Sequence, residues 1–527
     1  MPNAEKYILA IDLGTSGPKV ALFSTQGDML GSEFEETKLI LLPGGGAEQS
    51  PAEWWEAIDK AAKRLLARGL APAEDIVAIA STGQWSGTVA VDRDGSALGD
   101  SIIWMDSRGG PQVNQLAGGP ISLQGYAPVK LWKWIRLTGG APAVSGKDPI
   151  AHILYVKQNR PDQYQRTDKF LEPIDYLGLR LTGRAAASFE SITLYWLTDN
   201  RDINRVQYNE GLVKMSGIDR AKLPDLQPAN SILGVLLPKV ARGWGLREDV
   251  QVVIGSPDVH SAAVGSGATR DFENHLYIGT SSWIACHVPF KKTDLFHSIA
   301  ALPSAIPGRY LLTDAQECAG VCLSYLRDNL FFRDDELGDG KKPANAYRLF
   351  DEMAARTPVG SGRVIFLPWL YGERAPVDDR FARGGFFNQS LETTRDHMIR
   401  AVFEGVAFNS RWLLKYVEQF IGRRAEAIHM VGGGAKSDIW CQIHADVFDR
   451  PIRQMKDPIE VNVRGAALLA SAALGYLRYD DIGARVPVAK TYKPNPANRK
   501  LYDELFAEFT AIYESNKKIF ARLNRVS

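Results

Sequence analysis

The chain has 527 residues, a formal net charge of +1, 45% apolar residues and 23% charged residues. That length exceeds one compact core and predicts two domains, while the near-zero charge leaves no electrostatic footprint for nucleic acid or a membrane surface. Four cysteines with no CxxC pair, and an N-terminus without the basic and apolar regions of a secretory signal, predict a reducing, cytoplasmic setting.

In chain order, residues 7–13 and 19–24 read as strands flanking a glycine and hydroxyl turn, and Gln26-Gly27-Asp28 turns the chain into a third strand, 29–36. Ser50, Pro51 and Glu53 form a helix start of the capping-box kind, and Trp54, Ile58, Ala61 and Leu65 recur at helical spacing. Residues 75–81 read as a buried strand, and residues 88–91 with Asp94-Gly95 as a hairpin. Three meandering strands, a helix and a further strand make the pattern of a ribonuclease-H-like half-domain. Residues 118–149 and 333–342, rich in Gly, Pro or charge, read as insertions or long loops.

A second pass begins after Gly255. Residues 275–280 form a short strand running into Gly279-Thr280-Ser281-Ser282, which echoes Gly14-Thr15-Ser16-Gly17. An amphipathic helix over 400–419 feeds a strand over 427–431 and the glycine run Gly432-Gly433-Gly434. Motif order, rather than identity, predicts an internal duplication. Residues 497–524 form a last helix with Leu501, Leu505, Phe509, Tyr513 and Ile519 broadly on one face, packing back on the body. The apolar stretch 465–475 falls short of the roughly 20 residues that span a membrane.

Candidate chemistry sits in four segments. In Asp12-Leu13-Gly14-Thr15-Ser16-Gly17 a carboxylate stands beside free backbone N–H groups and two hydroxyls, which suits a phosphate and a hydrated Mg²⁺. Gly and Ser also favour ordinary hairpin turns. Gly279-Thr280-Ser281-Ser282 repeats the arrangement, and two such turns suit a phosphate chain gripped across a cleft. Third, a strand ending at Val431 runs into three glycines and a helix that Ser437 or Asp438 could cap, so a ligand can approach backbone closely. This is no P-loop, because Ala435 precedes Lys436 where that motif needs glycine. Fourth, Ile254-Gly255-Ser256-Pro257-Asp258 puts an acid in the first turn of a helix at the mouth of a strand, where it can cap the helix or act as general base. Gly83-Gln84-Trp85-Ser86-Gly87 has the wrong spacing for a hydrolase nucleophile elbow. The eight histidines show no zinc-ligand pair at helical spacing, and Cys318 and Cys322 read as small core residues one turn apart.

Taken in order, these segments resemble the FGGY family of carbohydrate kinases, its xylulokinase-like members in particular, over nearly the whole chain. The likeness is carried by Gly83-Gln84-x-x-Gly87, Ile103-Trp104-Met105-Asp106-Ser107-Arg108, Asp175-Tyr176-Leu177 with Leu181-Thr182-Gly183, Phe366-Leu367-Pro368-Trp369-Leu370-Tyr371-Gly372-Glu373-Arg374-Ala375-Pro376 and Ala401-Val402-Phe403-Glu404-Gly405-Val406. The resemblance implies an α/β, actin-like ATPase (ribonuclease-H-like) fold with two similar domains flanking a central cleft. Residues 1–254 would hold the sugar site and first phosphate loop, 255–475 the second phosphate loop and adenosine site, and 476–527 a helical segment packed on the body.

The same resemblance implies ATP and Mg²⁺. Asp12 would hold the metal through water; Gly14, Thr15, Ser16, Gly279, Thr280 and Ser281 would bind the phosphates; Gly433, Gly434, Ala435 and Asp438 would lie near adenosine. Asp258 is implied as the general base, and Gln84, Trp85, Ser86 and Asp106 as the sugar pocket, with Trp85 stacking on the sugar's apolar face. The expected reaction is ATP-dependent phosphorylation of a primary hydroxyl on a ketopentose or related polyol, D-xylulose first. Ribulose, erythritol, glycerol or another polyol is the alternative, and a non-catalytic sugar- or nucleotide-sensing pseudokinase the rival of another class. Trp85-Ser86 replace the Met-His of xylulokinases, Val259 replaces the amide after the catalytic Asp, and His152 and Tyr155 stand at their Lys and Trp positions. Such changes alter hydroxyl contacts and so substrate choice. The expected partner is a small-molecule sugar or polyol, with no nucleic acid or membrane, and a homodimer is left open.

Overall fold

Ile8, Leu9, Ala10, Ile11 and Leu13 are all buried, so the first strand must lie in a sheet covered on both faces. In the computed structural model, which describes residues 5–122 and 125–525, β1 (Tyr7–Gly14) is that central strand. It pairs antiparallel with β2 (Gly17–Ser24), which pairs with β3 (Met29–Phe34). After α1 (Pro51–Leu66), β4 (Ile76–Gly83) pairs parallel with β1, and β5 (Gln251–Val253) parallel with β4.

The order β3-β2-β1-β4-β5 then recurs. Beyond α2 (Asp258–Gly265), β6 (Asn274–Ile278) is flanked antiparallel by β7 (Ser282–Val288), itself followed by β8 (Tyr310–Thr313). After the long helix α3 (Arg395–Ile421), β9 (Ile428–Val431) pairs parallel with β6; after α4 (Asp438–Phe448), β10 (Ile452–Met455) pairs parallel with β9. The order β8-β7-β6-β9-β10 matches the first sheet strand for strand and direction for direction. The duplication expected from motif order is therefore the architecture.

Two helices are exchanged between the halves. Although α2 follows the first sheet, its Ala262 and Val264 pack with Val431 and Met455, and its Ala263 with Ala285 and Leu311 of the second. In return, α5 (Val461–Ala473) lays Val463, Ala466, Ala467 and Ala470 on Ile8, Ala10, Ala21, Phe23, Ala78 and Ala80 of the first. The helices meet backbone to backbone: a Cβ on Gly265 would lie 1.9 Å from the Val461 carbonyl oxygen, and one on Gly465 1.8 Å from that of Ser261.

Several expectations need correction. Ser50 does cap α1, accepting from Glu53 N–H, but the Glu53 carboxylate accepts from Lys38 N–H instead of turning back to Ser50, so the box is half closed. Val89–Val91 pairs mainly with Lys169–Leu171, and the Asp94-Gly95 turn returns only through the Val91–Ala97 bridge. The expected loop 118–149 contains a helix, Pro128–Thr138, seated by its buried Trp134. The last segment is not only helical, because Val488–Tyr492 adds an edge strand beside β10. In α6 (Arg499–Asn524) the buried face is Tyr502, Leu505, Phe509, Ile512 and Tyr513, whereas Ile519 is 40% exposed. That face packs on Phe408, Trp369 and Trp412. Cys318 and Cys322 are buried free thiols, and among the described residues no helix is long and apolar enough to cross a membrane.

Gly465→Ala should destabilise the protein by about 3 kcal/mol or more, because the new methyl can displace only backbone. Chemical denaturation of the variant beside Gly243→Ala, whose Cβ meets nothing within 4 Å, measures the difference.

Candidate active site

Parallel register sets the first half of the site. Asp12 and Ser256 both align with Thr82 of β4, and Leu13 and Pro257 with Gly83. Asp258 therefore starts α2 at the carboxyl edge of the sheet, two strand spacings from Asp12, or about 10 Å. Ligands of open α/β sheets collect at such edges.

Both carboxyls resist ionisation. Burial, followed by the charge of Asp12, pushes the Asp258 carboxyl up to about 7, against a single 2.8 Å hydrogen bond donated to it by Val259 N–H. Protein surrounds the carboxyl, yet the residue as a whole is only half-buried. Burial likewise raises Asp12, opposed by Lys19 and by the 3.2 Å bond that Asn462 Nδ2 donates to Oδ2. Lys19 is held across the cleft root by Glu460 at 3.0 Å. Asp12 Oδ1 is buried with no partner. That orphaned oxygen fits a hydrated Mg²⁺, which takes one or two carboxylates and keeps its waters. Among the described residues no cluster of three or more His, Cys, Asp or Glu offers a protein cage instead.

The two hydroxyl turns are both hairpin tips at these edges. Thr15 and Ser16 join β1 to β2, with Ser16 exposed. Gln49 Nε2 donates to Thr15 O at 2.8 Å and Trp104 Nε1 to Thr15 Oγ1 at 3.0 Å. Gly279, Thr280 and Ser281 join β6 to β7, with Thr280 exposed. Gly320 N–H donates to Gly279 O at 2.8 Å and Ala319 N–H to Thr280 O at 2.9 Å. The glycine run lies beside this second tip. Gly432, at φ +85°, sits where a Cβ would come 2.5 Å from Ile278 O. Gly433 is exposed, Gly434 is half-buried against Ile278, and Ala435 is buried with its carbonyl accepting from Gln454 Nε2 at 2.8 Å. Ser437, not Asp438, caps α4; Asp438 is exposed and paired with Lys490 at 3.3 Å.

A stack of side chains joins Asp258 to the second hairpin. Val259 and Trp283 pack on the same small cluster of Ala263, Ala285 and Leu311, and the Trp283 ring stacks on Tyr277 at 4.0 Å and 3°. The Tyr277 hydroxyl is raised by its burial and by the charges of Asp258 and Asp12. Both carboxyls and the root of the second hairpin thus share one space.

The four sugar-side residues separate into two groups. Trp85, half-buried, and Ser86, 9% exposed, lie on the side of His260 and Lys147. The Trp85 indole donates to Ser191 O at 2.9 Å and stands edge-on to His260 at 5.1 Å. Ser86 adopts φ +68°, an unusual setting for a non-glycine residue, and its hydroxyl donates to Lys147 O at 2.8 Å. Gln84 and Asp106 are not brought to that side. Gln84 is buried beneath the first hairpin, donating to Gln49 Oε1 at 2.8 Å. Asp106 is buried with its carboxylate taken by Arg108 and by Ala47 N–H at 2.9 Å. His152 is a satisfied core histidine between Thr88 Oγ1 and Asp106 O, pushed down to about 4 by burial. Tyr155 carries the Arg108 guanidinium over its ring at 4.8 Å. Sequence reasoning missed Lys19, Gln49, Lys147 and Asn462, none of which lies in a recognisable motif.

The family models match this architecture half by half. The FGGY family of carbohydrate kinases, N-terminal domain, matches residues 7–265, and its C-terminal domain residues 276–474. The chain belongs to the FGGY family of carbohydrate kinases. It is an ATP-dependent sugar phosphotransferase. A xylulose kinase of Staphylococcus epidermidis is 28% identical, covering 98% of this chain and 99% of that protein. An autoinducer-2 kinase of Enterobacter sp. is 26% identical over 96% of this chain and 94% of that one. Among solved structures, a gluconate kinase and a ligand-bound xylulose kinase, both from Lactobacillus acidophilus, each superpose with TM-score 0.85 at 25% identity. They cover 99% and 98% of this FGGY kinase and all of their own chains.

Asp258 has a stability signature. Its folded carboxyl, near 7, lies above the unfolded value of about 3.9, so the folded state binds more protons. The penalty on folding therefore grows as pH rises from about 4 to about 7 and stays constant above. Asp258→Asn should raise stability by about 1–3 kcal/mol at pH 8 and by almost nothing near pH 4, as read by melting temperature across that range.

Proposed function

We propose that this FGGY kinase transfers the γ-phosphoryl group of ATP to a primary hydroxyl of a ketopentose or related polyol, D-xylulose first, with Asp258 taking the proton. What supports this most strongly is the placement of Asp258, in the first turn of α2 at the carboxyl edge of the first sheet, two strands from Asp12, where burial pushes its carboxyl up to about 7. A general base works best when its pKa lies near the operating pH. The named xylulose kinases among the relatives support the sugar.

Phosphoryl transfer asks mainly for positioning and charge neutralisation. The N–H groups and hydroxyls of Gly14, Thr15 and Ser16 grip the phosphate chain from one lobe, and Gly279, Thr280 and Ser281 from the other. Gly433 offers open backbone to the adenosine, with Gly434, Ala435 and Asp438 behind and beside it. Mg²⁺, held through water by Asp12, supplies positive charge against the phosphates when bound. Trp85 presents its indole face to the sugar, and Ser86 fixes the backbone of Lys147 next to it. Asp258 orients the acceptor hydroxyl and holds its proton at a carboxylate oxygen. The exchanged helices let the lobes close and shut out water, the competing acceptor.

A second substrate reading has its own observation. The Lys147 ammonium is largely desolvated, which lowers its pKa, and among the described residues no ion pair holds it. It lies 5.6 Å from the Tyr371 ring centre. A free cation beside the sugar side favours a polyol with a carboxylate, an aldonate, and one solved relative is titled a gluconate kinase.

Asp258→Asn should lower kcat by about 10³-fold or more while ATP affinity, read by calorimetry, stays within about twofold. In the parent enzyme kcat/KM should fall tenfold per pH unit below about 7, as Asp258 protonates. Coupled ADP release with D-xylulose, other ketoses, polyols and aldonates decides the substrate. An aldonate preference abolished in Lys147→Met selects the second reading, and retained turnover in Asp258→Asn rejects the assigned base.

A further inference from the structure

The stretch from Phe366 to Pro376 is the longest motif in the chain, and apart from Tyr371 beside Lys147 the site described so far uses none of its side chains. Its Glu373 is 3% exposed, yet its carboxylate is fully engaged. Oε1 accepts from the backbone N–H of Glu317 at 3.0 Å and of Arg374 at 2.8 Å, and Oε2 accepts from Asn409 Nδ2 on α3. Trp369 Nε1 completes the Asn409 amide by donating to its Oδ1 at 3.1 Å.

From there the network runs to the second hairpin by two routes. Through the Gln316 side chain, Nε2 donates to the backbone carbonyl of Asn409 at 2.9 Å, and Oε1 accepts from Ser282 Oγ at 3.2 Å, at the foot of β7. Through backbone, Gln316 and Ser282 exchange both N–H···O bonds, at 2.8 and 3.2 Å. The strap that begins there, with Glu317 N–H fastened to Glu373, continues to Ala319 and Gly320, whose N–H groups hold Thr280 O and Gly279 O. A Cβ at Gly320 would lie 2.5 Å from Gly279 O, so strap and hairpin touch without slack. Gln316 and Asn409 are each 1% exposed.

We infer that Glu373 is a positioning residue for ATP: its carboxylate pins residues 316–320 against the second hairpin and so fixes the N–H groups of Thr280 and Ser281 in their phosphate-binding arrangement, the Gly279 N–H closing the hairpin on Ser281 O at 2.9 Å. The inference rests on the proposed reading of that hairpin as a phosphate site. A carboxylate suits the task because it only accepts, and three N–H donors from three separate places in the chain converge on it. A glutamine of the same size would turn one of those contacts into donor facing donor. Glu373 touches no reacting atom, so its removal acts on ATP and leaves the sugar side alone.

The test is steady-state kinetics on the full chain with both substrates varied. Glu373→Gln should raise KM for ATP about tenfold, the loss of one hydrogen bond to a charged acceptor, with KM for the sugar within about twofold. Gln316→Met, which cuts the side-chain route, should do likewise. The double variant should be no worse than the more affected single one, because both act through one strap. An unchanged KM for ATP in folded Glu373→Gln, equal rises for both substrates, or effects that multiply in the double variant would overturn the inference. Should Glu373→Gln fail to fold, Gln316→Met alone gives the same two outcomes. Thr280→Ala separates the premises. A raised KM for ATP there with none in Glu373→Gln rejects the positioning role alone, whereas no change in Thr280→Ala rejects the hairpin reading and the inference with it.

Discussion

Backbone against backbone at Gly265 and Gly465 is the contact on which the cleft depends. Each half builds the same five-strand order, and each lends one helix to the other. The crossing point of those helices sets the distance and angle at which the two carboxyl edges meet. With both positions glycine, the helices approach closely enough for the first turn of α2 to belong to both lobes. Ser256 and Pro257 pair with the first sheet, while Val259 and Ala263 pack on the second. Asp258 sits between them. The residue proposed as general base is thus held where the lobes are joined.

The electrostatics follow from that placement. Folded proteins pair nearly all their buried polar groups, yet Asp12 Oδ1, Ser81 Oγ, Thr82 Oγ1 and Ser256 Oγ all lack partners along one short edge. Two carboxyls raised by burial sit at the same edge, Asp258 raised further by the charge of Asp12, with Lys19 and Asn462 opposing the shift of Asp12 alone. Such an edge is less stable than a sheet end that satisfied itself, and its open valences are what a metal, phosphates and a hydroxyl supply. Stability is restored at a distance, in the aromatic layer of Trp369, Phe408, Trp412, Phe509 and Tyr513 beneath α6.

Features written in local pattern were legible in the sequence. The two hairpins, the strand before the glycine run and the first-turn position of Asp258 each depend on a few neighbouring residues, and all four appear where expected. Features written between distant segments were not. Asn462 reaches Asp12 from 450 residues away, and no local signal announces it. Gln84 and Asp106 lie in recognisable motifs, but their direction is set by Gln49, Arg108 and Ala47, partners that no local pattern announces. The helix exchange was illegible for a similar reason: a stripe of small apolar residues states that α5 is buried, not which sheet buries it. The buried face of α6 drifts with the 3.6-residue turn, which carried Ile519 off the body.

The most direct measurement is a crystal structure of this kinase with a non-hydrolysable ATP analogue, Mg²⁺ and a bound sugar. The account requires the phosphates between Thr15-Ser16 and Thr280-Ser281, the metal's water shell on Asp12 Oδ1, and an Asp258 oxygen within hydrogen-bond distance of a primary hydroxyl. Phosphates bound by one hairpin only, or an acceptor hydroxyl with Asp258 turned away from it, would contradict it.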